Sequence, residues 1–183
     1  MAKVSTTVGV FAGILDQVTG KLLLRRRVEE NSIIPGKSFK GNWELPGGGV
    51  MEAEKIPYNH LPKELAREVD EEVGITISID PMPPFYAIPF KGPAGYDLAM
   101  VTPITASASP TKGETIWVSP NELEELAKDF APADRNRGID GKGIVSGYGK
   151  RMHCMALKAL SYSPNATYAE EARTILTGIQ QSW

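Results

Sequence analysis

The polarity pattern of the chain changes period several times. Residues 7–15 and 21–27 are strand-like apolar runs separated by Asp16-Gln17-Val18-Thr19-Gly20, whose aspartate and glycine supply turn geometry, and they predict a hairpin. Residues 29–49 are rich in Gly, Pro and Asn and end in Trp43-Glu44-Leu45-Pro46-Gly47-Gly48-Gly49, which predicts mostly loop with one short strand. The period then becomes helical. Leu61, Leu65, Val69 and Val73 recur every four residues in a charged background, the buried stripe of a helix over 61–73. Pro62 fits its first turn and Gly74 suits the left-handed residue past its end.

Runs at 75–79, 85–90, 98–105 and 115–118, separated by Pro and Gly, predict further strands. Ser119-Pro120-Asn121-Glu122 joins an N-cap serine, a proline at the first helical position and a glutamate three residues past the cap, so a helix carrying Leu123, Leu126 and Ala127 starts there. Residues 131–149 hold five glycines and read as a long loop. Two amphipathic helices close the chain at about 150–180, one marked by Met152, Met155, Ala156 and Ala159, the other by Ala169, Ala172, Leu176 and Ile179. Strands followed by helices predict an α+β fold.

With 183 residues and 42% apolar positions, one domain over 1–183 around one core is expected. Twenty Lys and Arg against 22 Asp and Glu leave a net charge of −2, which gives no general attraction to nucleic acid or to an anionic membrane. The expected partner is a small molecule, and a homodimer is compatible with the composition. A single cysteine, Cys154, excludes an internal disulfide, and only two histidines, His60 and His153, disfavour a Cys/His zinc cluster. The first apolar run contains glycines and leads straight into Asp16, unlike a signal peptide, and no uncharged stretch approaches the roughly 18–20 residues that span a bilayer. The cytoplasm is the expected setting. Asn165-Ala166-Thr167 matches a glycosylation acceptor and is discounted as a chance triplet.

Chemistry concentrates on the helix at 61–73. Glu68, Glu71 and Glu72 stand at i, i+3 and i+4 and project from one face. Uncompensated, such pairs cost an isolated helix about 0.2–0.5 kcal/mol each. A hard cation such as Mg2+ prefers carboxylate oxygen and would convert the cluster into a site, with a substrate phosphate completing its coordination. Glutamate-rich helices alone are more often solvated faces. The context here adds Gly47-Gly48-Gly49 and Glu54 upstream, Arg67 directly before Glu68, and Gly74-Ile75 at the helix end.

Together these residues resemble the Nudix box, which reads G, five residues, E, seven residues, then R-E-U-x-E-E-x-G-U with U aliphatic. Arg67-Glu68-Val69-Asp70-Glu71-Glu72-Val73-Gly74-Ile75 matches the second half, and Gly48, five residues and Glu54 match the first. Twelve residues, 55–66, stand where the family has seven, and are read as a five-residue insertion. Enforcing seven would put Asn59 at the glutamate and Ala53 at the glycine. Ile116-Trp117-Val118-Ser119-Pro120 extends the likeness past the box. The resemblance implies that Glu68, Glu71 and Glu72 coordinate Mg2+ or Mn2+, with the Gly48 carbonyl as a further ligand. It also implies that Arg67 holds loop and helix together with Glu54 as its partner. The fold implied is an α/β/α sandwich with a mixed central sheet.

The reaction implied is attack of water on phosphorus in a nucleotide derivative, with Glu72 first and Glu114 second as candidate proton acceptors. An ADP-ribose or nucleotide-sugar type of nucleoside diphosphate derivative is the expected substrate, and a nucleoside triphosphate is the alternative. A nucleotide-sensing Nudix-fold module without catalysis is the rival from another class, disfavoured because all three glutamates are present. A calcium-binding or structural acidic helix would leave the glycine run and Arg67 unexplained. In Arg25-Arg26-Arg27, strand alternation sends Arg26 to the opposite face from its neighbours, and surface charge is expected. Residues 141–150 match neither phosphate-loop pattern and read as flexible loop. Cys154 and His153 point in different directions on a helix, so packing is expected, and Tyr58 and His60 are expected to serve surface or packing roles.

Overall fold

The computed structural model describes residues 8–28, 41–50, 60–78, 80–81, 84–92, 95–128 and 151–181. Glu54, Tyr58, Ile79 and the glycine-rich segment 131–149 lie outside the described residues.

The predicted hairpin is formed by β1 (Val8–Asp16) and β2 (Leu22–Arg26). Its turn is closed by the Asp16 carboxylate, which accepts the N–H groups of Val18 and Thr19 at 3.1 and 2.6 Å. Among the described residues five more strands join the sheet: β3 (Trp43–Glu44), β4 (Gly47–Val50), β5 (Tyr86–Gly92), β6 (Gly95–Ala106) and β7 (Thr115–Val118). The strand order is β3-β2-β1-β6-β5, with β4 also on β1 and β7 also on β2. β1 runs parallel to β6 from Val8↔Leu98 to Asp16↔Ala106, whereas the other pairings are antiparallel, so the sheet is mixed.

The helices are α1 (Leu61–Val73), α2 (Pro120–Lys128), α3 (Arg151–Leu160) and α4 (Ala166–Gln181). Leu22 and Leu24 pack on one face with Met155, Leu157 and Leu160 of α3, Leu123 of α2 and Ala172 of α4. Leu23 points to the other face and packs with Leu65, Val69 and Val73 of α1. Burial on both faces is why β2 opens with three leucines in a row rather than alternating with polar residues. Helices thus cover both sides of a mixed sheet, the expected α/β/α layering.

α1 occupies the predicted span. It ends at Gly74, with φ 67°, where an added Cβ would stand 2.1 Å from the Thr111 hydroxyl. The capping box of α2 is present, with the Ser119 N–H donating to Glu122 at 2.7 Å and the Glu122 N–H to the Ser119 hydroxyl at 3.3 Å.

Two expectations need correction. Residues 75–78 form no strand, although Ile75 and Ile77 alternate into the α1 cluster, because alternate burial needs no ladder partner. Conversely Gly47, Gly48 and Gly49 are strand, opposite Phe11, Val10 and Gly9 of β1. Gly47 takes φ 139°, and a Cβ there would lie 2.2 Å from the Val10 carbonyl oxygen, so this position admits only glycine. Among the described residues no helix is long and apolar enough to cross a membrane.

Candidate active site

α1 turns Glu68 and Glu72, one helical turn apart, toward β4. The Gly47 N–H donates to Glu72 Oε2 at 2.8 Å. A Cβ on Gly48 would lie 3.1 Å from Glu68 Oε1, so the bare strand is what lets that carboxylate approach the backbone.

The other Glu72 oxygen meets Arg25. Arg25 Nη2 lies 2.5 Å from Glu72 Oε1 and 2.6 Å from Glu44 Oε1, and Arg27 Nη1 lies 3.0 Å from Glu44 Oε2. Side-chain exposures of 6% for Arg25, 3% for Glu44 and 11% for Glu72 make this a buried network. Two guanidinium groups face two carboxyl groups, so each buried charge has a partner of opposite sign when Glu72 is ionised. Residues 25 and 44 are directly paired across β2 and β3, which sets the Arg25–Glu44 contact. Burial pushes the Glu72 carboxyl up to about 8; Arg25 and the Gly47 N–H oppose the rise, and the negative charges of Glu44 and Glu68 add to it.

Arg25 is therefore not surface charge. The alternation along β2 holds, since Arg26 leaves for the opposite face and donates to Glu114 at 2.9 Å. What failed was taking the face of Arg25 for solvent. That face carries the buried Leu23, two residues earlier, which was the available signal. Glu44 was missed as well, since nothing local marks a buried glutamate before a Pro-Gly turn.

Arg67 gathers the exposed side of the helix. Its guanidinium donates to Glu71 and Glu68, each at 2.7 Å, and to Glu64 at 3.0 Å. These carboxylates, Glu71 foremost, then Glu64 and Glu68, raise the Arg67 pKa above its ordinary value. Glu71 is 57% exposed and does not turn toward β4. Glu54, the expected partner of Arg67, lies outside the described residues. Glu114 is held by Arg26 on the sheet face opposite Arg25 and Glu72. His60 is exposed just before α1 and makes no side-chain cap. Cys154 is buried in α3, while the neighbouring His153 ring contacts the Glu124 carboxylate of α2.

The donor set suits a hard divalent cation. Glu68 and Glu72 offer carboxylate oxygens against the glycine backbone of β4, and each carboxylate oxygen retains a lone pair after accepting one hydrogen bond. Among the described residues no three acidic, His or Cys side chains converge on one point, and Glu71 is held by Arg67 on the exposed side of the helix.

The family model of the NUDIX domain matches residues 5–137. A MutT-like protein of Streptomyces ambofaciens is 28% identical over 135 residues, covering 72% of this chain and 77% of its own length. Among solved structures, the MutT protein from Methanosarcina mazei Go1 is 28% identical, with 70% of this chain and 85% of that one covered and a TM-score of 0.49. A bifunctional NMN adenylyltransferase/ADP ribose pyrophosphatase from Francisella tularensis is 16% identical, with 68% and 37% covered and a TM-score of 0.46. Nudix hydrolases generally use divalent metal ions and act on small nucleotide derivatives. The matched residues span most of the chain and include the acidic helix and its glycine strand, and the chain belongs to the Nudix family, hydrolases of phosphoric anhydride bonds.

Proposed function

We infer that the chain hydrolyses the diphosphate linkage of a nucleoside diphosphate derivative of the ADP-ribose or nucleotide-sugar type, using Mg2+ or Mn2+, in the cytoplasm. The observation that carries this reading is Glu72, buried between Arg25 and the Gly47 N–H with Glu68 beside it. Glu68, Glu71 and Glu72 are the residues to hold the cation, with the Gly48 carbonyl as a further ligand. A bound divalent cation supplies charge against the phosphoryl oxygens and lowers the pKa of a coordinated water.

The remaining roles belong to the chain. Glu72 is the candidate to take the proton of the attacking water, because its carboxylate is fixed between Arg25 and the Gly47 N–H. Glu114, tied to Arg26 on the other face, is the weaker candidate. Arg67, whose described partners Glu64, Glu68 and Glu71 all lie on α1, would tie the loop to the helix through Glu54. The bare backbone at Gly47 and Gly48 lets β4 lie close to β1 and lets the Glu68 carboxylate approach β4.

The test is product release by purified protein with Mg2+ or Mn2+ on dinucleotides, diphosphate sugars and nucleoside triphosphates, beside Glu72→Gln. Cleavage of a diphosphate-bridged compound that falls at least about 100-fold in the variant supports the reading. Preference for triphosphates redirects it to a nucleoside triphosphate pyrophosphatase. Saturable nucleotide binding without turnover replaces it with a sensing module.

A further inference from the structure

We propose that Arg25 is the positioning residue that fixes the Glu72 carboxylate against the glycine strand, braced in turn by Glu44 and Arg27. The proposal rests on the reading of Glu72 as a site carboxylate. Glu72 leaves α1 on a flexible side chain, yet both of its oxygens are taken by donors from other elements, Oε1 by Arg25 of β2 and Oε2 by the Gly47 N–H of β4. Two donors on two strands define the plane of the carboxylate. Neither oxygen is exhausted, since each keeps a lone pair for a cation or a proton.

Arg25 is itself anchored by a second carboxylate. The same Nη2 lies 2.6 Å from Glu44 Oε1, an ion pair, and Glu44 Oε2 pairs with Arg27 at 3.0 Å. The result is a chain of alternating charge, Arg27–Glu44–Arg25–Glu72, running from a side chain 25% exposed to ones nearly sealed from water. Stability alone is a poor explanation for it, because a buried ion network is often no better than well-packed apolar residues. Placement of one carboxylate is what this arrangement provides and apolar packing would not. The planar guanidinium on its packed stem fixes the direction of that contact more firmly than a lysine ammonium would, so a lysine keeps the charge at Glu72 but holds its carboxylate less rigidly.

The full-length chain is compared with Arg25→Met and Arg25→Lys by three readings. Amide hydrogen exchange at Gly47 reports its bond to Glu72, with Ile14, completely buried in β1, as the reference for global opening. Mn2+ affinity is measured by the paramagnetic resonance of free Mn2+, and kcat and KM on whichever compound the wild type cleaves. In Arg25→Met, Gly47 should exchange faster by on the order of tenfold while Ile14 holds its rate. Mn2+ affinity and kcat should fall by about 10–100-fold, with KM changing less. Arg25→Lys should recover part of each loss, and it carries the test alone if the methionine variant does not fold. Gly47 and Ile14 accelerating together while the folded protein keeps its Mn2+ affinity would show a merely structural arginine and overturn the proposal; so would no change in any reading. A wild type that binds Mn2+ but cleaves nothing removes the proposed reaction, and the exchange and affinity readings still decide the role of Arg25.

Discussion

At the scale of single residues, Glu72 carries opposed demands. Its place against β4 takes it out of water, which favours the neutral acid, while Arg25 and the Gly47 N–H favour the anion. Burial wins, and the pKa stands at about 8 instead of 4.5. The native chain therefore binds this proton more tightly than the unfolded chain does. Its contribution to stability is fully present below about pH 4.5 and is lost as pH rises through about 8. Without divalent cation, the melting temperature of the wild type should fall across that window, and Glu72→Gln, which has no proton to lose, should lack that part of the fall. Saturating Mg2+ should offset the wild-type loss, since a cation at the carboxylate favours its ionised form. Melts in chelator and in Mg2+ from below pH 4.5 to above pH 8 decide the matter; parallel curves for wild type and variant would mean that Glu72 does not titrate there.

At the scale of elements, legibility followed the information each segment carries in its own side chains. α1 was readable because Leu61, Leu65, Val69 and Val73 mark its buried face and Pro62 and Gly74 its ends. The acidic residues came with it, so Glu68 and Glu72 were legible as a pair on one face. β4 was not readable, for three glycines in succession have no side-chain period, and only the pairing with β1 makes them a strand. Residues 75–78 show the converse, an alternation of buried and exposed positions without a partner. Arg25 and Glu44 stayed hidden because their burial comes from the docking of α1 on the sheet, which no local window contains. The β4 finding yields a prediction. Gly47→Ala must place a methyl group against the Val10 carbonyl in a backbone region that L residues avoid, at a cost of about 1–3 kcal/mol. Relief by parting β4 from β1 also takes the Gly47 N–H from Glu72, so Mn2+ affinity should fall along with the melting temperature. A variant that loses stability but binds Mn2+ as the wild type does would show that the ladder yields elsewhere.

At the scale of the whole molecule, the sheet separates two tasks. One face meets α1 and the acidic site; the other is closed by α3 with α2 and α4. α3 and α4 lie beyond residues 5–137, where the family model matches, yet Met155, Ala156, Leu157, Ala159 and Leu160 of α3 are completely buried and cover Leu15, Leu22 and Leu24. The helices that add nothing to the family signature are thus part of the core that holds the signature in place. Leu157→Ala tests whether this face supplies stability without shaping the site. Removing a fully buried leucine side chain should cost about 2–5 kcal/mol. For a chain of this size that lowers the melting temperature by roughly 2–4 °C for each kcal/mol. Because Leu157 packs on the face away from α1, the folded variant should keep its Mn2+ affinity within about twofold, as expected for sites that share no partners. A fall in Mn2+ affinity that tracks the loss of stability would mean that the two faces are mechanically coupled through β1 and β2, so that Glu72 is held in place by the packing of α3 as much as by Arg25.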